Sequence, residues 1–270
     1  MKELTYVLMD PTGNMTILVE TPVPVEEQPA VAARLMEAEP SAEQVGFVYA
    51  DDDCGVGLRM AGGEFCGNAA MSAAVLSAIV ADVPEGTTLV ETSLAADQVP
   101  VEYYKQPDGS WSATVDMPKP TAIKEVKLPV GGPGSETVRL PYVQFDGISH
   151  LIYEHPAPED DVSRADAEQL VKDWLEALDT EALGLLFFDR EDSRMTPLVY
   201  VPAVGTICWE TACASGAAAV GAFLAAESNA PVERALKQPG GFLQVFADPD
   251  GSVQLGGTVV YCYRKTLTMD

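Results

Sequence analysis

The sequence predicts a mixed α/β (α+β) protein assembled from two similar halves, and three observations carry that prediction. A cysteine heads an alanine-rich run twice, in EFCGNAAMSAAV (64–75) and in TACASGAAAVGAF (211–223). Strand-like and helix-like segments follow one another in the same order before and after residue 120. The turn Pro-Asp-Gly-Ser closes each half, at 107–110 and at 249–252.

Taken in order, Gly13 and Asn14 form a turn before the strand-like run MTILVE (15–20), and Gly147 precedes the comparable ISHLIYE (148–154). An amphipathic helix follows at 29–38. Its counterpart spans 164–178, where Leu170, Val171, Trp174, Leu175 and Leu178 recur at helical spacing. Buried-strand patterns come next, EQVGFVY (43–49) and EALGLLF (181–187). The cysteine helices follow, and their small side chains suit close packing. Each half ends in β-rich runs around the shared turn, where proline presets φ and glycine accepts a positive φ. Gly13 and Cys66 are 53 positions apart, Gly147 and Cys213 66. A landmark order kept over such similar intervals indicates duplication, with too few copies for a solenoid. The stretch 118–133, rich in Pro, Gly and Lys, suits a linker, so the halves are read as 1–119 and 120–256.

A chain of 270 residues with 47% hydrophobic content can bury a sizeable core without disulfide staples. Its net charge of −25 repels phosphate backbones and anionic lipid, which argues against nucleic acid and membrane as partners. The Asp51-Asp52-Asp53 cluster reads as a solvated face. No apolar run reaches the roughly 18 residues of a membrane span, and MKELTYVLMDPTG is too short and polar for a secretory signal. Five cysteines without a CxxC pair and only two histidines, His150 and His155, make neither a disulfide framework nor a zinc site. The expectation is a cytoplasmic protein with reduced thiols and no bound metal.

Duplicated halves commonly pack about a pseudo-two-fold axis, which would bring Cys66 and Cys213 face to face across a cleft. A helix N-terminus carries partial positive charge and unpaired N–H groups, which lower a thiol pKa and suit a carboxylate. The donors would be the backbone of Gly67, Asn68 and Ala69 in one half and of Ala214, Ser215 and Gly216 in the other. A thiolate and a thiol opposed across an α-carbon can remove a proton from one face and supply one to the other. The helix ends would stabilise the charge that develops on the adjacent carboxylate. This chemistry needs no cofactor, and no dinucleotide or phosphate-binding loop is present to signal one, although a lysine able to hold pyridoxal phosphate stays open.

These residues resemble the diaminopimelate epimerase family of cofactor-independent amino-acid racemases over nearly the whole chain. Cys66-Gly67-Asn68 matches the first cysteine motif, and Ala212-Cys213-Ala214-Ser215-Gly216 the second, where the family usually has Ala-Cys-Gly-Thr-Gly. Gly13-Asn14 and Pro239-Gly240-Gly241 match two further motifs. His150 stands at the histidine of the family's Gly-Asn-Pro-His, here Gly147-Ile148-Ser149-His150. The family's Glu-Arg pair before the second cysteine is missing: 202–211 reads PAVGTICWET, without arginine. The stretches PTGNMTILVE, EQVGF, GGEFCGNAAMS, Trp209-Glu210 and QPGG are instead similar to the histidine racemase branch that feeds opine-type metallophore synthesis.

The resemblance implies two pseudo-symmetric domains, each a curled β-sheet around a central α-helix, with the active site in the cleft between them. The C-terminal strand 257–270 would join the first domain. It also implies a homodimer, a small-molecule amino acid as substrate, and catalysis by Cys66 and Cys213. His150 is read as a thiol-orienting residue or a satisfied core histidine. Glu210 is read as a helix-capping acid or as the holder of the substrate ammonium or the thiol proton. Asn14 is a turn residue or a site contact, and Glu43 a carboxylate for a cationic or hydrogen-bonding side chain. Cys54, Cys208 and Cys262 are read as structural, and His155 as a surface residue. Diaminopimelate and other amino acids, proline among them, stay open as substrates on this architecture. The two intact cysteines argue against phenazine-type isomerases, which replace them with a carboxylate. A thiol redox protein and a non-catalytic amino-acid-binding protein are the readings from other classes.

Overall fold

The computed structural model of the chain describes residues 2–50, 55–93, 95, 97–131 and 136–269; Cys54 and the Asp51-Asp52-Asp53 cluster lie outside them. The fold is mixed α/β and dominated by sheet. It divides into two compact units, Met1–Met117 with Gln254–Asp270, and Pro118–Val253.

The first unit runs β1 (Lys2–Pro11), β2 (Thr16–Val19), α1 (Gln28–Ala38), β3 (Gln44–Tyr49), β4 (Gly55–Met60), α2 (Gly67–Ala81), β5 (Glu85–Thr92), β6 (Val99–Lys105) and β7 (Trp111–Met117). These strands neighbour one another in chain order. The chain's last strand, Val253–Met269, lies beside β7 and also pairs with β1, so the eight strands close a ring. Helix α2 packs against β1, β2, β4, β5, β6 and β7, which makes it the core of that ring. Its first twelve residues are buried except Ser77, because alanine, glycine and serine let strands approach on every side. Helix α1 instead has one apolar stripe, Val31, Ala32 and Leu35, which packs on Leu4, Ile17 and Phe47. Burying a side chain of this size contributes about 1.5–3 kcal/mol.

The second unit contains β8 (Ala122–Pro129), β9 (Thr137–Gln144), β10 (Ser149–Tyr153), α3 (Asp161–Leu178), β11 (Leu183–Asp189), β12 (Arg194–Val201), β13 (Thr206–Trp209), α4 (Ala214–Ser228), β14 (Val232–Gln238) and β15 (Gly241–Ala247), and the last strand is β16. Its pairings repeat those of the first unit. A helix joins parallel strands twice in each: β2 to β3 and β4 to β5 in the first, β10 to β11 and β12 to β14 in the second. The α3 stripe, with Val171 and Trp174, packs on Leu151, Leu185 and Leu198. Both Pro-Asp-Gly turns form as the sequence predicts, with Gly109 at φ 92° and Gly251 at φ 87°.

Two boundaries differ from the sequence reading. Half of the stretch expected as a linker is strand: β8 pairs with β9 from Ala122↔Gln144 to Pro129↔Thr137, and Leu128 packs into the α3 core. Its charged residues Lys124, Glu125 and Lys127 are exposed, which is why its composition resembled a linker; Pro133 lies outside the described residues. Helix α3 starts at Asp161 rather than near Arg164, because Asp160 caps it by accepting the Ser163 N–H at 2.9 Å.

Candidate active site

In the first unit, Cys66 is the N-cap of α2, with an extended backbone (φ −135°, ψ 110°) that swings its side chain back over the first turn. Its sulfur accepts the Ala69 N–H at 3.4 Å. The thiol donates to Gln44 Oε1 at 3.1 Å. Gln44 Nε2 donates to Asn14 Oδ1 at 2.6 Å and to Thr16 Oγ1 at 2.7 Å, so the amide can turn only its oxygen to the sulfur. Asn68 Nδ2 also donates to Asn14 Oδ1, at 3.0 Å, and Asn14 Nδ2 donates to Glu43 Oε2 at 2.6 Å. One connected network therefore holds Asn14, Glu43, Gln44, Cys66 and Asn68. Glu64 stands two residues before the thiol, and burial raises its carboxyl pKa.

In the second unit, Cys213 is the N-cap of α4 with nearly the same backbone (φ −120°, ψ 110°), and its sulfur accepts the Gly216 N–H at 3.4 Å. Ser215 Oγ lies 3.5 Å from that sulfur and 3.0 Å from His150 Nε2. The His150 ring is fully buried, and the loss of solvent lowers its pKa to about 3, which leaves it neutral. Gly184, paired with His150 across the β10–β11 ladder, admits the ring because it has no Cβ to collide with it. His150 Nδ1 has no hydrogen-bond partner among the described residues, so the ring is only half satisfied, through Nε2. Trp209 stacks on Phe187 with ring centroids 5.5 Å apart and donates to Glu168 at 2.9 Å. It anchors the segment from which the Glu210 carboxylate bonds to the Cys213 thiol.

Three sequence expectations change here. A helix end was expected to lower the thiol pKa, yet burial pushes Cys213 well above its ordinary value, and the Glu210 carboxylate adds to the rise. The helix dipole is worth about 0.3–2 kcal/mol, less than the loss of solvent around a thiolate that is 5% exposed. Ala69 and Gly216 are not free donors for a ligand, because an N-cap side chain takes the N–H three residues on. Glu210 does not cap α4; the cysteine does. Of the cysteines read as structural, Cys262 is exposed on β16 and Cys208 is half-buried. His155 is exposed, as expected.

Two glutamines went unrecognised in the sequence. Gln44 lay inside EQVGF and Gln238 inside QPGG, and nothing in either pattern separates a site residue from a strand residue. Gln238, at the end of β14, is buried, and its Oε1 accepts the Cys213 N–H at 2.7 Å. Among the described residues no group of three or more His, Cys, Asp or Glu side chains is placed to hold a metal, and no helix is long and apolar enough to cross a membrane.

Comparison with known proteins adds to this geometry. The family model described as the histidine racemase CntK N-terminal domain matches residues 3–258. A histidine racemase of Fusobacterium nucleatum subsp. nucleatum (strain ATCC 23726 / VPI 4351) is 32% identical over 254 residues, covering 92% of this chain and 90% of its own. One of Staphylococcus aureus (strain Mu50 / ATCC 700699) is 28% identical over 252 residues, covering 87% and 85%. Among solved structures, a probable proline racemase of Agrobacterium radiobacter K84 superposes with a TM-score of 0.70 at 13% identity, covering 99% of this chain and 93% of that one. A hydroxyproline epimerase of Agrobacterium vitis does so with 0.67 at 12% identity, covering 98% and 92%. At that identity the structures share the fold.

Proposed function

The chain belongs to the histidine racemase family and is an amino-acid racemase, and from that premise we propose that it inverts the α-carbon of histidine without a cofactor, using Cys66 and Cys213 as its two acid–base groups. The observation that carries the reading is the matched pair of N-cap cysteines, each sulfur accepting a backbone N–H at 3.4 Å from the third residue of its helix.

Burial and Glu210 favour the protonated form of Cys213, which makes it the proton donor, and the base is Cys66 once its thiol has released to solvent the proton it points at Gln44 Oε1. The Cys66 thiolate takes the α-proton and becomes a thiol. The electron pair left on the α-carbon is shared with the carboxylate and then takes the Cys213 proton on the opposite face. The reverse reaction exchanges the two roles. Backbone donors at the helix ends, those of Gly67 and of Ala214 and Ser215, suit the carboxylate. Ser215 and neutral His150 orient the Cys213 thiol. Glu43, linked through Asn14 to the Cys66 network, suits the imidazole N–H of histidine. A homodimer and a cytoplasmic location, implied by the resemblance, belong to the same proposal and are read by sedimentation and by cell fractionation.

The test is racemisation and α-hydrogen exchange in deuterium oxide, with no cofactor added. L-Histidine should lose its circular dichroism while gaining α-deuterium, and Cys66→Ala and Cys213→Ala should each lose racemisation by about 10³-fold or more. Full racemase activity in either variant defeats the two-thiol mechanism. A panel in which other amino acids racemise and histidine does not defeats the substrate assignment.

A further inference from the structure

Gln238 has two ends with different fates. Its Oε1 accepts the Cys213 N–H at 2.7 Å, while its Nε2 is buried without a hydrogen-bond partner among the described residues, in a side chain only 2% exposed. The amide cannot be turned around to relieve this. A backbone N–H needs an acceptor, so the oxygen must face Cys213 and the NH2 must face away from it.

The oxygen completes a local motif. In a capping box, the third residue of a helix reaches back to the N–H of the N-cap. Here that third residue is Gly216, which has no side chain, and Gln238 makes the bond from the end of β14 instead. The next turn is held in place as well, since Gly240 donates its N–H to the Thr211 carbonyl at 2.7 Å. The amide is thus fixed beside the first turn of a 15-residue helix whose first two N–H groups, those of Ala214 and Ser215, suit an anion.

Buried amide donors are almost always paired, so an unpaired one held rigidly at a helix N-terminus implies an acceptor that the chain does not itself supply. We propose that Gln238 is a substrate-binding residue whose Nε2 donates to the carboxylate of the amino acid at the Cys213 helix end. The inference rests on the racemase reading above and adds to it a side-chain donor for the carboxylate. Such a donor also favours the reaction, because the carboxylate gains negative charge as the α-proton leaves.

The experiment separates carboxylate binding from fold. α-Methyl-L-histidine has no α-hydrogen and reports binding alone, and L-histidinol keeps the imidazole and ammonium but has a hydroxymethyl group in place of the carboxylate. Titration calorimetry with the full chain should show Gln238→Leu binding α-methyl-L-histidine about ten-fold or more weakly, with histidinol affinity unchanged. Gln238→Glu keeps an acceptor for the Cys213 N–H and has no donor once its carboxyl is ionised. Calorimetry on the folded variant at a pH above that ionisation should show the same loss of discrimination. Wild-type discrimination in Gln238→Glu, or equal losses for both ligands in either variant, overturns the proposal and leaves Gln238 as a structural cap. If the wild type racemises another amino acid rather than histidine, the substrate assignment falls separately. The same comparison, made with that acid's α-methyl and alcohol analogues, then decides the role of Gln238.

Discussion

Gly216 lies against the Cys213 sulfur. Its N–H donates to Sγ at 3.4 Å, and a Cβ on it would stand 3.3 Å from the same sulfur and 2.8 Å from Leu186 Cδ2. Gly216→Ala therefore displaces the thiol or the α4 entry. We expect a stability loss of about 1–3 kcal/mol and a fall in racemisation greater than the unfolded fraction explains. Urea denaturation with kinetics on the folded protein reads both.

Gly184 serves the His150 ring in the same way. A methyl group there overlaps the imidazole, so Gly184→Ala should shift the ring off Ser215 and destabilise the second unit by about 1–3 kcal/mol. Thermal unfolding reads the cost. The His150 proton chemical shifts read the displacement, and unchanged shifts would contradict the packing.

The buried imidazole sets a pH dependence. His150 titrates near 3 in the folded chain and near about 6.5 when unfolded, so the unfolded state takes the proton first as pH falls. Its contribution is complete above about pH 6.5 and is lost toward pH 3, with a slope of up to about 1.4 kcal/mol per pH unit. Urea midpoints between pH 7 and 4 should therefore fall more steeply for the wild type than for His150→Gln. Equal slopes would mean that the ring protonates in place.

Glu210 and Cys213 should separate thiol reactivity from turnover. Removing the carboxylate charge lowers the raised Cys213 pKa, so Glu210→Gln should speed iodoacetamide labelling of Cys213 at pH 8 by roughly ten-fold. Exposed Cys262 serves as the internal reference in peptide mass spectrometry. Racemisation should fall in the same variant, because the thiol no longer holds its proton as well. Slower labelling would show that Glu210 does not act on the thiol electrostatically.

Much of the architecture is legible in the chain alone. The strand patterns around Ile17 and Leu151 and the stripes of α1 and α3 are local consequences of side-chain period. The alanine-rich runs can form only helices that strands approach closely. Strand β8 was not legible, because Lys124, Glu125 and Lys127 are exposed and break up the apolar side that Val126 and Leu128 turn to the core. Gln44 and Gln238 were not legible either. Each sits at a strand end, and its role depends on which helix N-terminus that end reaches. For Gln44 the register Thr16↔Gln44 decides this, at a sequence separation that local pattern does not span.

By itself the sequence determined that a cysteine stands at the start of each of two alanine-rich helices; that each sulfur takes the N–H of the third helical residue came from the structure. Only the tertiary structure decided the protonation of what surrounds one of them. The helix end alone would lower the Cys213 pKa. Burial among strands far apart in the chain, with Glu210 alongside, raises it, and the same exclusion of water keeps His150 neutral. Desolvation belongs to the assembled neighbourhood, so no stretch of sequence states it.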